Sequence, residues 1–278
     1  MGWVVLLYRS LQYNKNPAPL EANLETLDLI YRDEHCVAVN KPAGLLVHRS
    51  EIDRREKRFA IQMVRDQIGQ RVYPVHRLDK PTSGVLLFAL TPQAARSLSE
   101  AFGGGRVRKS YLAVVRGVPE AQGVIDHPLS EELDRMSDAR ARQGKGPKPA
   151  VTGFRRLAEV ELPFAVGRYP SSRYALLEAY PRQGRKHQIR RHFKHIFHPI
   201  IGDTKHGEGR HNRFFRDHFA CHRLLLSAVE LSFPHPASDC EITLRSPLDR
   251  DFLRVLEQLG WQKALPTGWM GQQERGRG

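Results

Sequence analysis

The chain has 278 residues, 40% of them hydrophobic, which is enough to bury a full-sized core as one large domain or two lobes. No apolar run approaches the roughly eighteen residues of a membrane span, and Trp3-Val4-Val5-Leu6-Leu7 lacks the basic start and long apolar centre of a signal peptide, so a cytoplasmic protein is expected. Its 44 Lys and Arg against 30 Asp and Glu give a net charge of +14, clustered in residues 54–58, 140–148, 182–194 and 205–223, which favours a polyanionic partner.

Residues 1–24 contain the turn-rich Asn14-Lys15-Asn16-Pro17-Ala18-Pro19 and no periodicity, and are expected to form a flexible extension. Strands follow at 27–31 and 36–40, broken by Asp33-Glu34, and Lys41-Pro42-Ala43-Gly44 reads as a turn before a short apolar run at 45–48. Residues 59–68, with Gly69 as a stop, predict a helix. A strand at 85–90 ends at Thr91-Pro92, an N-cap with proline at the first helical position. The helix it opens should run to about Phe102 and stop at Gly103-Gly104-Gly105.

Residues 110–116 form the next strand, with Tyr111, Ala113 and Val115 on one face and Leu112, Val114 and Arg116 on the other. After a charged, glycine-rich loop at 131–149, strands resume at 151–157 and 172–180. Gly184 is expected to open a helix that buries Ile189, Phe193, Ile196 and Phe197, while His187, Arg190, Arg191 and Lys194 project elsewhere on its surface. Late strands at 224–233 and 240–244 precede a helix capped by Asp249 and ending at Gly260. A flexible tail is expected from residue 263. No repeat is visible. Interspersed strands and helices with short connections favour an α+β fold around a large mixed sheet. The absence of a GxGxxG or P-loop motif removes the commonest nucleotide-binding folds.

The run His76-Arg77-Leu78-Asp79-Lys80-Pro81-Thr82-Ser83-Gly84 sets one carboxylate among basic and turn-forming residues, directly ahead of a core strand. Spacing alone leaves Asp79 open as a turn residue or a catalyst. Tyr111 is equally open as a sheet aromatic or a stacking platform. Arg185, placed at the start of a basic helix where the dipole disfavours cations, needs an anionic partner if it is not merely solvated. His187, His192, His195 and His198 share a helix with so many Arg and Lys that a metal site is disfavoured. Cys36, Cys221 and Cys240 are too scattered for a disulfide framework or a CxxC site.

The motif set, taken together, resembles the RluA family of pseudouridine synthases. His76-Arg77-Leu78-Asp79 with Pro81-Thr82-Ser83-Gly84 is similar to its catalytic motif. Val39-Asn40-Lys41-Pro42-Ala43-Gly44 and Lys109-Ser110-Tyr111-Leu112-Ala113 resemble two further segments. Gly184-Arg185-Lys186-His187-Gln188-Ile189-Arg190, continuing to His198-Pro199-Ile200-Ile201-Gly202-Asp203, resembles the late basic one. Val47-His48-Arg49-Ser50, residues 64–69, and the stretch from Gly146 to Thr152 look most like members that act on uridine 65 of tRNA.

The resemblance implies a single catalytic domain over 25–262, with a mainly antiparallel mixed sheet, flanking helices and a central RNA-binding cleft. It implies a monomeric enzyme with a tRNA substrate, no cofactor, no metal and no membrane partner. Asp79 would be the nucleophile on a flipped uridine, Arg185 its counterion, and Tyr111 the ring that stacks on the uracil and assists at C5. Ile189 would pack beneath the base, and Arg77 would fill the space the base leaves. Arg190, Arg191, Lys194 and Lys205 would grip the RNA backbone. An rRNA-directed member and a catalytically silent RNA-binding protein are the competing readings. The chain departs from the family twice: residues 1–26 are too few for an S4-type RNA-binding domain, and Ser227 stands where many relatives carry histidine.

Overall fold

The computed structural model describes residues 26–48, 56–130, 146–266 and 269. The expected extension at 1–24, the basic residues 54–55 and most of the charged loop at 131–149 lie outside the described residues. In chain order the elements are β1 (Asp28–Arg32), β2 (Cys36–Lys41), α1 (Ala60–Ile68), β3 (Tyr73–Pro74), β4 (Ser83–Ala89), α2 (Pro92–Gly103), β5 (Arg108–Arg116) and β6 (Gln122–Asp126). There follow β7 (Val151–Leu162), β8 (Ser172–Pro181), α3 (Gln188–His195), α4 (Gly209–Phe219), β9 (Leu226–Pro234), β10 (Glu241–Arg245) and α5 (Arg250–Gln258).

The strands form one ten-stranded sheet in the order β1-β2-β4-β9-β5-β8-β7-β6, with β10 on β9 and β3 on β4. All named pairings are antiparallel except β4 with β9, which run parallel through Ser83 opposite Ser227 and Gly84 opposite Ala228. The expected α+β architecture with a mixed, mainly antiparallel sheet is therefore present. Strand β4 is buried along its whole length, as its central place between β2 and β9 requires.

The two faces of β5 separate as the alternation predicts. Leu112 and Val114 enter a core with α4 and α5, while Ala113 and Val115 pack with Ile189 and Phe193 of α3. Phe193 is fully buried, and its truncation to alanine should cost about 3–5 kcal/mol. Thr91 Oγ1 accepts from the Ala94 N–H, and Asp249 Oδ1 from the Phe252 N–H, so both expected N-caps form.

Two helical stretches need correction. Helix α3 begins at Gln188, four residues after Gly184, because His187 takes a left-handed conformation (φ 56°) and breaks the helical path. The helix ends before Phe197, which is itself left-handed and 84% exposed rather than buried. Helix α4 was hidden in the basic stretch 205–223, whose charge masks the inward Phe214, Phe215 and Phe219. Leu265 and Trp269 are buried in the α5 core, and residues 270–278 of the expected tail lie outside the described residues.

Candidate active site

The strand order sets Asp79 and Tyr111 on either side of a small-residue floor. Tyr111 pairs with Ala228 of β9, and Ala228 pairs with Gly84 of β4, so two strand spacings, about 10 Å, separate Tyr111 from the strand that Asp79 leads into. Gly84 is required there: its φ is +110°, and a Cβ would lie 2.0 Å from the Ala228 carbonyl oxygen.

The Asp79 loop is tied down from beneath. The Thr82 N–H donates to the Asp79 carbonyl at 3.0 Å, and the Gly44 N–H to the Lys80 carbonyl at 2.8 Å. Lys41 is fully buried and its ammonium donates to the carbonyls of Leu45, Pro42 and Lys80 at 2.8, 2.9 and 3.2 Å. Burial and the charge of Arg223 push its pKa down to about 7, against the opposing pull of Asp79. Arg223 holds the far end of the same loop: it donates to Ser83 Oγ at 2.9 Å and pairs with Asp249. Ser83 Oγ then donates to Ser227 Oγ at 3.0 Å, so the residue that departs from the family joins β9 to the loop exit.

The counterion of Asp79 is Arg190. Its Nη1 donates to Asp79 Oδ2 at 3.1 Å, while Nε and Nη2 donate to the two oxygens of Asp203 at 2.7 and 2.8 Å. Only 4% of Arg190 is exposed, which removes it from the expected set of RNA-backbone contacts. Burial alone would weaken its charge, but Asp203 and Asp79 outweigh that and hold its pKa up. Asp203 is held low in turn: burial opposes its charge, yet Arg190 and the N–H groups of His206 and Lys205 win.

Arg185 is not brought to Asp79. Its side chain lies on the exposed loop before α3, where Nε donates to the Pro149 carbonyl at 3.3 Å. The physical reason is the later helix start. The position where the dipole makes a cation demand an anion is the first turn after Gln188, which is Arg190.

His187 also faces the carboxylate, with Nε2 at 4.0 Å from Asp79 Oδ2 and Nδ1 at 2.9 Å from His206 Nε2. Burial first, and then Arg190, His206 and Lys205, push it down to about 4 despite the pull of Asp79, so it is neutral at pH 7. Tyr111 is half-buried where two core clusters meet, and Ile189 packs in one of them. Burial raises the Tyr111 hydroxyl, and the Asp79 charge raises it further, which places the two groups in one electrostatic environment. Arg77, Lys194 and Lys205 are exposed, and Arg191 donates to the Ser130 carbonyl at 2.9 Å.

Among the described residues, one group has metal-ligating side chains close together: Asp33, Cys36 and His235, away from Asp79. Its donors are already committed. Asp33 Oδ1 accepts from the N–H groups of His35 and Cys36 at 2.7 Å. His235 Nδ1 faces the N–H groups of Ala237 and Ser238 at 3.3 Å, which leaves Nε2 to carry the proton it donates to Asp33. This is a hydrogen-bonded turn clamp.

An acidic loop residue, a buried arginine counterion and a tyrosine two strands away form a carboxylate-centred site on an α+β sheet. The chain belongs to the RNA pseudouridylate synthase family, whose model matches residues 35–195. It is 55% identical over 245 residues to a tRNA pseudouridine synthase C of Pectobacterium carotovorum, covering 88% of this chain and 65% of that protein. It is 52% identical over 239 residues to a tRNA pseudouridine synthase C of Vibrio cholerae, covering 86% of this chain and 98% of that one. Among solved structures it is similar to human RNA pseudouridylate synthase domain containing 4, with a TM-score of 0.63 and 25% identity over 84% of this chain and 93% of that one. Human RNA pseudouridylate synthase domain containing 1 matches with a TM-score of 0.60 and 26% identity, over 88% and 97%. No helix of the described residues is long and apolar enough to cross a membrane.

Proposed function

We propose that the chain isomerises one uridine of tRNA to pseudouridine in the cytoplasm, at position 65, with Asp79 as the nucleophile. The reaction breaks the N1–C1′ bond, joins C5 to C1′, removes the proton on C5 and returns one to N1. No electrons are exchanged with an outside partner. The observation that carries the reading is the Asp79–Arg190–Asp203 chain, which holds one carboxylate oxygen of a partly exposed aspartate. A carboxylate so placed serves at an anomeric carbon or at an electron-poor base.

Tyr111 and Ile189 supply the face on which the uracil stacks, and the tyrosine assists at C5. Arg77, exposed two residues before Asp79, enters the space left in the RNA. Lys194, Lys205 and Arg191 meet the backbone around it. The tRNA reading rests on the relatives named above, about half identical over most of the chain.

The test is to incubate the full chain with unmodified tRNA transcripts and with rRNA fragments, and then map carbodiimide-reactive positions. A new pseudouridine at tRNA position 65 is expected. Modification confined to rRNA would reject the substrate assignment, and modification of neither would reject the activity.

A further inference from the structure

Lys109 stands on the same face of β5 as Tyr111, two residues before it and about 7 Å away along the strand. Its ammonium donates to the Gln183 carbonyl at 3.0 Å, in the segment that leads into α3. On its other side lies His76 of the Asp79 loop, close enough that the lysine charge acts on that ring. Lys109 thus sits between the two segments that carry Asp79 and Arg190.

Its surroundings offer little for a cation. His76 stacks on Phe102 at 4.8 Å, and its Nε2 accepts from the Leu87 N–H at 2.9 Å, which commits the imidazole to the neutral form. The register partner on β9 is the apolar Leu231. Glu178 of β8 is engaged by Ser110 and Arg155. Among the described residues no carboxylate pairs with Lys109. Burial alone pushes its pKa down to about 8. Lys109 is half-buried and the Gln183 carbonyl takes one of its three N–H groups, which leaves donors able to meet an anion.

We propose that Lys109 binds a phosphate flanking the target nucleotide. This rests on the RNA-modifying reading above. A base stacked on Tyr111 carries its own sugar and phosphate along the strand toward Lys109, and an ammonium is a compact point charge suited to one phosphate oxygen. The phosphate supplies the missing counter-charge, so the free protein keeps the lysine poorly paired and the complex does not. The alternative role, a staple for the Gln183 carbonyl alone, requires no RNA.

The two roles separate by experiment on the full chain. Lys109→Met should raise KM about tenfold with kcat within about twofold, and Lys109→Arg should recover part of the loss. The slope of log Kd against log salt should fall by roughly 0.7–0.9, one phosphate contact. Wild-type binding should weaken as pH rises past about 8, where the free ammonium loses its proton, and this decline should vanish in Lys109→Met. A neutral methylphosphonate in place of one phosphate beside the target uridine should weaken the wild type and leave Lys109→Met unchanged. If the variant's loss persists equally on methylphosphonate RNA, or its salt slope is unaltered, the phosphate role is wrong. A wild type that binds the RNA but converts no uridine overturns the functional reading, and the lysine's role with it.

Discussion

Arg190 joins two carboxylates that the sequence separates by more than a hundred residues: Nη1 holds Asp79 at 3.1 Å while Nε and Nη2 clasp Asp203. The bidentate half fixes the guanidinium plane, and the free edge then presents a single donor to Asp79. Arg190→Lys keeps a charge but loses that fork. It should lower kcat at least a hundredfold with tRNA affinity within about threefold, whereas Arg185→Ala should change kcat less than about twofold. Steady-state kinetics on both variants check this. Equal damage from both would return Arg185 to the site.

Lys41 acts on the same loop through its main chain. Lys41→Met removes the donor to the carbonyls of Pro42, Leu45 and Lys80. The Lys80 carbonyl keeps its Gly44 donor, but those of Pro42 and Leu45 lose theirs at about 1–3 kcal/mol each, softened by local relaxation, so a stability loss of about 2–4 kcal/mol is expected. A shift in urea midpoint with unchanged slope measures it. The surviving folded enzyme should lose kcat more than KM, since the loop carries Asp79.

Gly84 tests the contact between the motif and β9. Gly84→Ala forces a side chain into a +110° φ and against the Ala228 carbonyl. The variant should lose more than about 3 kcal/mol and separate β4 from β9. Urea unfolding gives the number, and a loss below about 1 kcal/mol would contradict the described approach of the two strands.

Acid should weaken the fold in two stages. Burial pushes His76 down to about 3 and His187 to about 4. Between those values and the unfolded value near 6.5 the unfolded chain binds more protons, so stability falls as pH drops below about 6.5, by up to about 1.4 kcal/mol per pH unit for each group. Asp203 is held below the carboxylate range, so its contribution persists down to about pH 4 and is lost below that. Urea midpoints at pH 7.5, 6.0 and 5.0 should fall steadily, and a flat series would contradict the buried neutral histidines.

Most strands and helices were legible because their apolar periods are clean, as in β5, and because Thr91 and Asp249 are strong caps. Helix α4 was not, since its Phe214, Phe215 and Phe219 are dispersed among His, Arg and Asn that read as a solvated stretch. Asp79 and Tyr111 stood out through residue type and motif. Arg190 was assigned to the surface because the helix was started at Gly184. No local pattern announces a left-handed histidine at 187, and shifting the start to Gln188 moves the dipole-exposed cation from Arg185 to Arg190. The Arg190–Asp203 pair depends on a return of the chain after α3, which spacing does not encode.

Tritium release from tRNA labelled at C5 of uridine tests the account at its centre. The wild type should release label in step with pseudouridine formation, and Asp79→Asn, nearly isosteric but without the carboxylate charge, should release none above background while binding tRNA within about threefold of wild type. Release by Asp79→Asn at the wild-type rate would contradict the assignment of Asp79 as the residue that carries the reaction.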